Sequence, residues 1–440
     1  MNPSKIDLSE AVAALLARGE PLTAAQLAAA TQKSASSMSL AIGKLGDRVH
    51  RMGAARSTRY ALKQDILGLP AQQAVIWPDR TGLSSEWGQL TFLHNDWLHV
   101  RSSKNEWLTQ GHLPWFLTPL RPRGYLGREL ARSAPNLPPD PQLWSLAQIL
   151  YSAVALIHNP SGAFFLNSYQ TKTLAAPEDG SPLGDYYDRL AQEIGAGSPV
   201  GSSAAGEQPK FVVSFRRDRP AIVKFTPPHG TPFGERWRAL LMLEKLALDI
   251  LQSHAVTSAH SEIVQTQRRT YLQSTRFDRD AQYGARHVVA IAALHDEFVG
   301  GSWTNWVKTS EALAKKGLIT QQELQQVATI FAFGHYIGNT DMHSGNLSFF
   351  VDDVITPKLR LAPVYDMLPM MWRPDIHQGV LTDSPVRAQL MPTGFAAERA
   401  QARLWAIEFW EQAAQLDIGA DLQAASLESA RRLKTNFADV

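Results

Sequence analysis

The run IGNTDMHSGNLSFF at residues 337–350, followed by LAPVYDMLPM at 361–370, restricts this chain more than any other feature. An apolar pattern at helical spacing over 324–337 delivers the backbone to a polar loop, and 347–351 reads as a strand. Asp341, His343 and Asn346 therefore share one loop between a helix and a strand, and Asp366 follows a second apolar run twenty residues after Asn346. Each residue alone reads most simply as a turn or cap former. The ordered set on alternating elements is far more specific.

Asp341 and Asn346 are spaced D-x-x-x-x-N, the interval of kinase catalytic loops. In those loops the Asp accepts the proton of an attacking hydroxyl and the Asn carbonyl holds magnesium. Asp366 is placed to supply the main metal carboxylate, and one Asp with one Asn suits an ion that leans on the phosphates for its other ligands. Upstream, residues 201–215 put small residues before a strand, where bare backbone amides can approach phosphates. Lys224 falls in a buried-looking strand and needs an anionic partner, and Glu244 or Glu235 on the next helix could pair with it. The run TRFDRD at 275–280 reads either as a wall of an adenine pocket or as a surface turn laced with salt bridges.

The N-terminal sixty residues carry three short helical patterns. Leu8, Val12, Leu15 and Leu16 mark the first, stopped at Gly19, and Thr23 caps a second over 24–30 with Leu22 and Leu27 inward. Ser34 or Ser36 caps a third with Met38, Ile42 and Leu45 inward. Residues 48–52 and 57–62 then read as strands around Gly53, the shape of a wing. Net charge divides along the same line: +2 overall, but +5 over residues 1–63 and −3 over the rest. A polyanion partner is thus expected for this module alone, with Ser37, Ser39 and Lys44 of the third helix and Arg51, Arg56 and Arg59 of the wing facing double-stranded DNA. A purely protein-binding Ala-rich module with a solvated basic face is the alternative.

Residues 65–145 read as a small β-rich segment with a hairpin around Asn95–Asp96, then helices near 126–131 and 143–158. The absence of cysteine excludes disulfides and thiolate metal sites and fits a reducing cytoplasm. The polar first ten residues offer no export signal, and the apolar stretch 143–157 is shorter than the roughly 20 residues that span a bilayer, so no membrane partner is expected.

In this order the pieces resemble the HipA-like serine/threonine kinase family. Its S-x-A-G-x-Q-x-K pattern matches Ser203, Ala205, Gly206, Gln208 and Lys210, and its strand lysine matches Lys224. Its R-F-D, D-x-H-x-x-N and Y-D motifs match Arg276–Phe277–Asp278, Asp341–His343–Asn346 and Tyr365–Asp366. The resemblance spans about residues 85–420 and is greatest to the YjjJ-type subgroup, where a winged helix is fused ahead of the kinase. Gly345 stands where members often carry lysine, and Thr275 where some carry a hinge glutamate.

The resemblance implies Asp341 as catalytic base, Asn346 and Asp366 as magnesium ligands, and Lys224 on the ATP phosphates. It also implies backbone contacts to adenine from Thr275–Phe277. Ala205, Gly206, Glu207, Gln208, Lys210, Asp278, His343 and Tyr365 would complete the nucleotide site, and Ser203 or Ser202 would be the autophosphorylated serine of the phosphate loop. It implies, further, a toxin–antitoxin setting with self-regulation of transcription, dimer formation, and protein substrates such as aminoacyl-tRNA synthetases.

The expected fold is α+β and multidomain. A winged helix-turn-helix covers 1–65, a β-rich subdomain 66–150, a kinase N-lobe with the phosphate loop 151–280, and a mainly helical C-lobe with the catalytic and metal loops 281–440. Three other activities compete. They are a DNA-binding regulator whose kinase-like body senses a nucleotide or small ligand, small-molecule or lipid phosphotransfer, and a metallohydrolase built on His335, Asp341 and His343.

Overall fold

The computed structural model describes residues 7–167, 174–175, 182–196, 208–214, 220–280, 284–374 and 394–435. It mixes helix and sheet in two compact units that divide near residue 171.

The first unit opens with helices Leu8–Arg18, Ala24–Thr31 and Ala35–Leu45. Their starts are chemical. Asp7 caps the first, a reciprocal Thr23–Gln26 pair caps the second, and Ser34 caps the third. Gln32 and Gly46, both at positive φ, end the last two. Leu22–Thr23, Arg59–Leu62 and Val49–Met52 form a small sheet with Arg59–Leu62 in the middle. Val12, Leu16, Leu27, Met38, Ala41 and Leu45 fill the core, with Leu62 of the sheet closing it, while Ile42 is only half-buried. The last strand begins at Arg59 because Ala55–Ser57 coil into a 3-10 turn.

A five-stranded antiparallel sheet follows, in the order Glu106–Gln110, Trp97–Ser102, Ser84–Leu93, Gln72–Pro78, Phe165–Leu166. Its tight turn places Asn95 and Asp96 at φ 60° and 56°, left-handed values that these two residue types tolerate. The helices fall at Gly124–Arg132 and Leu146–Ala155. The expected boundary at 150 is displaced. Phe165 and Leu166 pair with Ile76 and Val75, so residues 151–167 belong to this unit and not to a kinase N-lobe. The wing and this sheet also share a core of Met52, Ala61 and Leu93, which makes the expected pair of domains, 1–65 and 66–150, a single compact body.

In the second unit, strands Ser261–Gln265, Thr270–Thr275, Ala221–Phe225, Lys210–Ser214 and Leu174–Ala175 form one sheet in that order. Helix Leu183–Ala196 covers one face through Tyr187, Leu190 and Ala191 against Phe211, Val223 and Tyr271. The long helix Pro232–Ser253, capped by Thr231 with Pro232 at its first position, packs against Ser261–Gln265 and Thr270–Thr275. Beyond them lie a three-stranded sheet, Val288–Ala290, Ser348–Val351 and Leu359–Leu361, and helices including Gln321–Tyr336, Ala396–Ala413 and Ala420–Thr435.

Helix Gln321–Tyr336 is buried along Leu324, Val327, Ile330 and Phe333 and aims the catalytic-type loop. The Trp410 indole donates to its Tyr336 carbonyl at 3.0 Å. Its first turn is closed by a reciprocal Thr320–Glu323 cap. Thr320→Ala should cost about 1 kcal/mol of local stability, read as faster amide exchange confined to that helix. Among the described residues no helix is long and apolar enough to cross a membrane.

Candidate functional site

Lys224 sits in the strand Ala221–Phe225, 9% exposed, and its Nζ lies 2.6 and 2.7 Å from the two oxygens of Glu244. The same ammonium bonds Asp366 Oδ1. Burial opposes the charge on Lys224, but the Asp366 and Glu244 carboxylates outweigh it and hold the ammonium well above its usual range. Asp366 is held below the usual carboxylate range, because Lys224 and Lys210 overcome its burial. Burial pushes Glu244 up against the same pull. Of the two glutamates left open by the sequence, Glu244 takes the lysine. Glu235 is two and a half turns nearer the helix start and pairs with Arg238 and the Gly230 amide.

The helix Gln321–Tyr336 runs out at Gly338, φ 74°, and a side chain of the loop that follows ties it to the Asp366 main chain. Asn339, 2% exposed, accepts the Asp341 amide on Oδ1 at 3.0 Å and donates from Nδ2 to the Asp366 carbonyl at 3.3 Å. Asp366 itself is at φ 53°, a left-handed conformation costing about 1 kcal/mol for a non-glycine residue. Asn346 donates from Nδ2 to the Asp341 carbonyl at 2.9 Å, so its amide nitrogen is engaged and its Oδ1 is the end suited to a hard cation.

Tyr365 donates to the Gly345 carbonyl at 2.7 Å and meets the Ser348 hydroxyl at 2.8 Å; burial pushes its phenol up. Phe277 packs on Tyr365 and Phe350 at 5.7 and 5.9 Å between ring centres. Exposed His343 accepts the Gly345 amide on Nδ1 at 2.9 Å. A Cβ at 345 would stand 2.8 Å from His343 Cε1, so glycine is what lets this imidazole fold back.

Two expected contacts are redirected. The Asp278 carboxylate is buried and takes Arg276 at 2.9 and 2.7 Å and Arg279 at 3.1 Å, so it braces the turn and is not aimed at a cofactor. The cluster is buried, hence not a surface turn either. The amides of Thr275 and Arg276 are bonded to the His260 and Pro220 carbonyls, and Phe277 adds its ring to Tyr365 and Phe350. Gln208 donates to the Phe225 carbonyl and anchors the loop end to the Lys224 strand. Lys210 stands opposite Lys224 in strand register. Ser202, Ser203, Ala205, Gly206 and Glu207 lie outside the described residues.

The described residues hold no cluster of three His, Asp or Glu suited to a metal, and His335 packs edge-on against Phe331 at 4.5 Å. The donors at hand are one carboxylate, Asp366, and one amide oxygen, Asn346. That set fits magnesium, which keeps phosphate and water ligands, and does not fit zinc.

On the N-terminal module Ser39, Lys44, Arg51 and Arg59 are exposed. Ser37 is half-buried, and its hydroxyl meets Ser34 Oγ at 2.9 Å beside the cap. The Arg56 side chain lies outside the described residues. Leu40, 71% exposed on the third helix, is an outward residue that the inward-facing pattern passed over.

A family model described as the HipA-like C-terminal domain matches residues 202–437, and one described as the middle domain of YjjJ-like toxins matches 69–174. The toxin YjjJ of Escherichia coli K12 is 34% identical over 384 residues, covering 84% of this chain and 85% of that one. This chain belongs to the HipA-like family. A putative kinase of Haemophilus influenzae Rd is 27% identical over 207 residues, 43% of this chain and 59% of that one. The solved structure of Shewanella oneidensis MR-1 HipA with HipB and operator DNA shares the fold at 16% identity. Its TM-score is 0.50, with 82% of this chain and 95% of that chain covered.

In this HipA-like chain, then, the structure gathers Lys224, Glu244 and Asp366 directly, and links Asp366 to the Asp341 loop through Asn339. Sequence reasoning passed over Asn339 although it lies two residues before Asp341. A neutral amide carries no charge signature, and its value shows only when both partners are known.

Proposed function

We propose that this HipA-like chain is an ATP- and magnesium-dependent serine/threonine protein kinase that phosphorylates Ser203 or Ser202 of its own phosphate loop, with a DNA-binding module fused ahead of it. The observation that carries the reading is the single ammonium of Lys224 held by both Glu244 and Asp366. A lysine fixed in this way is oriented to meet nucleotide phosphates, a recurring part of protein kinases. Asp341 accepts the serine proton as the serine oxygen bonds to the γ-phosphorus. The bond from that phosphorus to the bridging oxygen breaks and ADP leaves. Bound magnesium, held by Asp366 and the Asn346 amide oxygen, would neutralise phosphate charge. Phe277 offers an apolar wall to adenine. A phosphate on Ser203 brings about two negative charges to the loop that cradles ATP and silences the enzyme.

The N-terminal module is the DNA-facing part, with Ser39, Leu40 and Lys44 toward the groove and Arg51 and Arg59 toward phosphates. Its charge and its small sheet after three helices support that assignment, and self-regulation of transcription follows from it.

The deciding experiment incubates purified wild type and Asp341→Asn with magnesium and labelled ATP and maps phosphate by mass spectrometry. Phosphate on Ser203 or Ser202 in wild type alone is expected. Incorporation in neither, with ATP bound, transfers the weight to a nucleotide-sensing DNA-binding regulator. No ATP binding at all sinks the kinase reading.

A further inference from the structure

We infer that Asn339 is a positioning residue that fixes the spacing between the Asp341 and Asp366 carboxylates by holding the main chain of both. The inference rests on the kinase reading above. Asn339 puts both ends of its amide on these two loops: Oδ1 accepts the Asp341 amide at 3.0 Å, and Nδ2 donates to the Asp366 carbonyl at 3.3 Å, with the Met367 thioether at 3.6 Å as a weak second acceptor. It does so from a site 2% exposed, where water cannot substitute for either partner.

The chemistry of the site admits few other residues. Asp has the same shape but, ionised, can only accept, so it keeps the Asp341 link and sets a charge against the Asp366 carbonyl. Leu keeps the volume and loses both links. Gln is one methylene longer, in a pocket where Met367 Sδ already lies 3.6 Å from Nδ2. The second brace, Tyr365 to Gly345, reaches the far end of the same loop, while Asn339 and Asn346 hold Asp341 by its amide and its carbonyl.

Position matters here because Asp366 stands in a left-handed conformation at φ 53°. Its carbonyl must stay turned toward Asn339 for its carboxylate to stay beside Lys224. Relaxation of that residue would swing the carboxylate away from Lys224. Asn339 thus acts on two quantities that a merely structural residue would not separate: affinity for the divalent ion through Asp366, and rate through Asp341. Partners of this kind behind a metal-ligating carboxylate are worth about 10–100-fold in affinity or activity.

The test uses the full chain as wild type, Asn339→Asp and Asn339→Leu at pH 8. Manganese binding in the presence of ADP is followed by electron paramagnetic resonance, and metal-free ADP binding and phosphate transfer are measured beside it. Half-saturation by manganese should rise about 10–100-fold in both variants, with metal-free ADP binding unchanged. Saturating magnesium should restore the rate of Asn339→Asp, which keeps the Asp341 link, and should not restore that of Asn339→Leu. A lower melting temperature with manganese half-saturation unmoved overturns the proposal, and if Asn339→Leu does not fold, Asn339→Asp decides. Manganese–ADP binding without phosphate transfer in wild type would remove the kinase reading while the manganese comparison still judges Asn339. No manganese–ADP binding in wild type overturns both.

Discussion

Lys224→Met should lower phosphate transfer by about 10²–10³-fold, the loss expected when one preorganised cation or donor is taken from a developing transition-state charge. It should also loosen the second unit by about 3–5 kcal/mol, because Glu244, 2% exposed, is left as an uncompensated buried charge. The two effects separate in a second variant. Lys224→Met with Glu244→Leu replaces the buried pair by apolar groups of similar volume, which is near neutral for stability. That double variant should recover its denaturation midpoint and its amide protection in helix Pro232–Ser253, yet transfer no more phosphate than the single one. Recovery of activity along with stability would show that Lys224 serves the fold and not the phosphates.

The parts of the site that the sequence exposed are those fixed by covalent spacing. Asp341, His343 and Asn346 lie within six residues, so any fold that puts a helix before them and a strand after them brings them together. Lys224 was legible because a lysine amid Ala221, Ile222, Val223 and Phe225 has to find an anion. Which anion was not legible. Glu235 and Glu244 both lie on the following helix, and the choice is set by how far that helix runs across the sheet before it meets Lys224.

Other readings failed where a local motif has a local use. The R-F-D carboxylate of Asp278 is taken up by the arginines beside it. The boundary near 150 misled because a strand of two residues, Phe165–Leu166, is too short to show alternation. The pairing of His50 with His99 joins residues 49 positions apart, on elements that the sequence assigned to different domains.

That pair makes the first unit acid-sensitive. His50 Nε2 lies 2.8 Å from His99 Nδ1, and His99 Nε2 lies 3.4 Å from Glu106 Oε2. The Glu106 charge beside it favours the proton of neutral His99 on Nε2, which leaves Nδ1 to accept the His50 Nε2 proton. Burial, reinforced by His99, Lys63 and Arg101 and opposed by Glu106, lowers His50 to about 4. His99 is lowered too, burial outweighing the pull of Glu106. The unfolded chain then binds more protons than the folded one as pH falls from about 6.5 through 4, so stability is lost across that window and is fully present above it. Allowing for partial exposure of His50, the loss should be on the order of 2–3 kcal/mol.

Amide exchange in strands Val49–Met52 and Trp97–Ser102 of the full chain should therefore accelerate, beyond its ordinary pH dependence, between pH 6.5 and 5, where most carboxylates remain ionised. His50→Asn with His99→Asn should flatten that response. An equal acid response in the double variant would place the sensitivity elsewhere. Because Met52 and Ala61 pack in the same contact against Leu93, opening it frees the wing that bears Arg51 and Arg59 from the sheet that orients it.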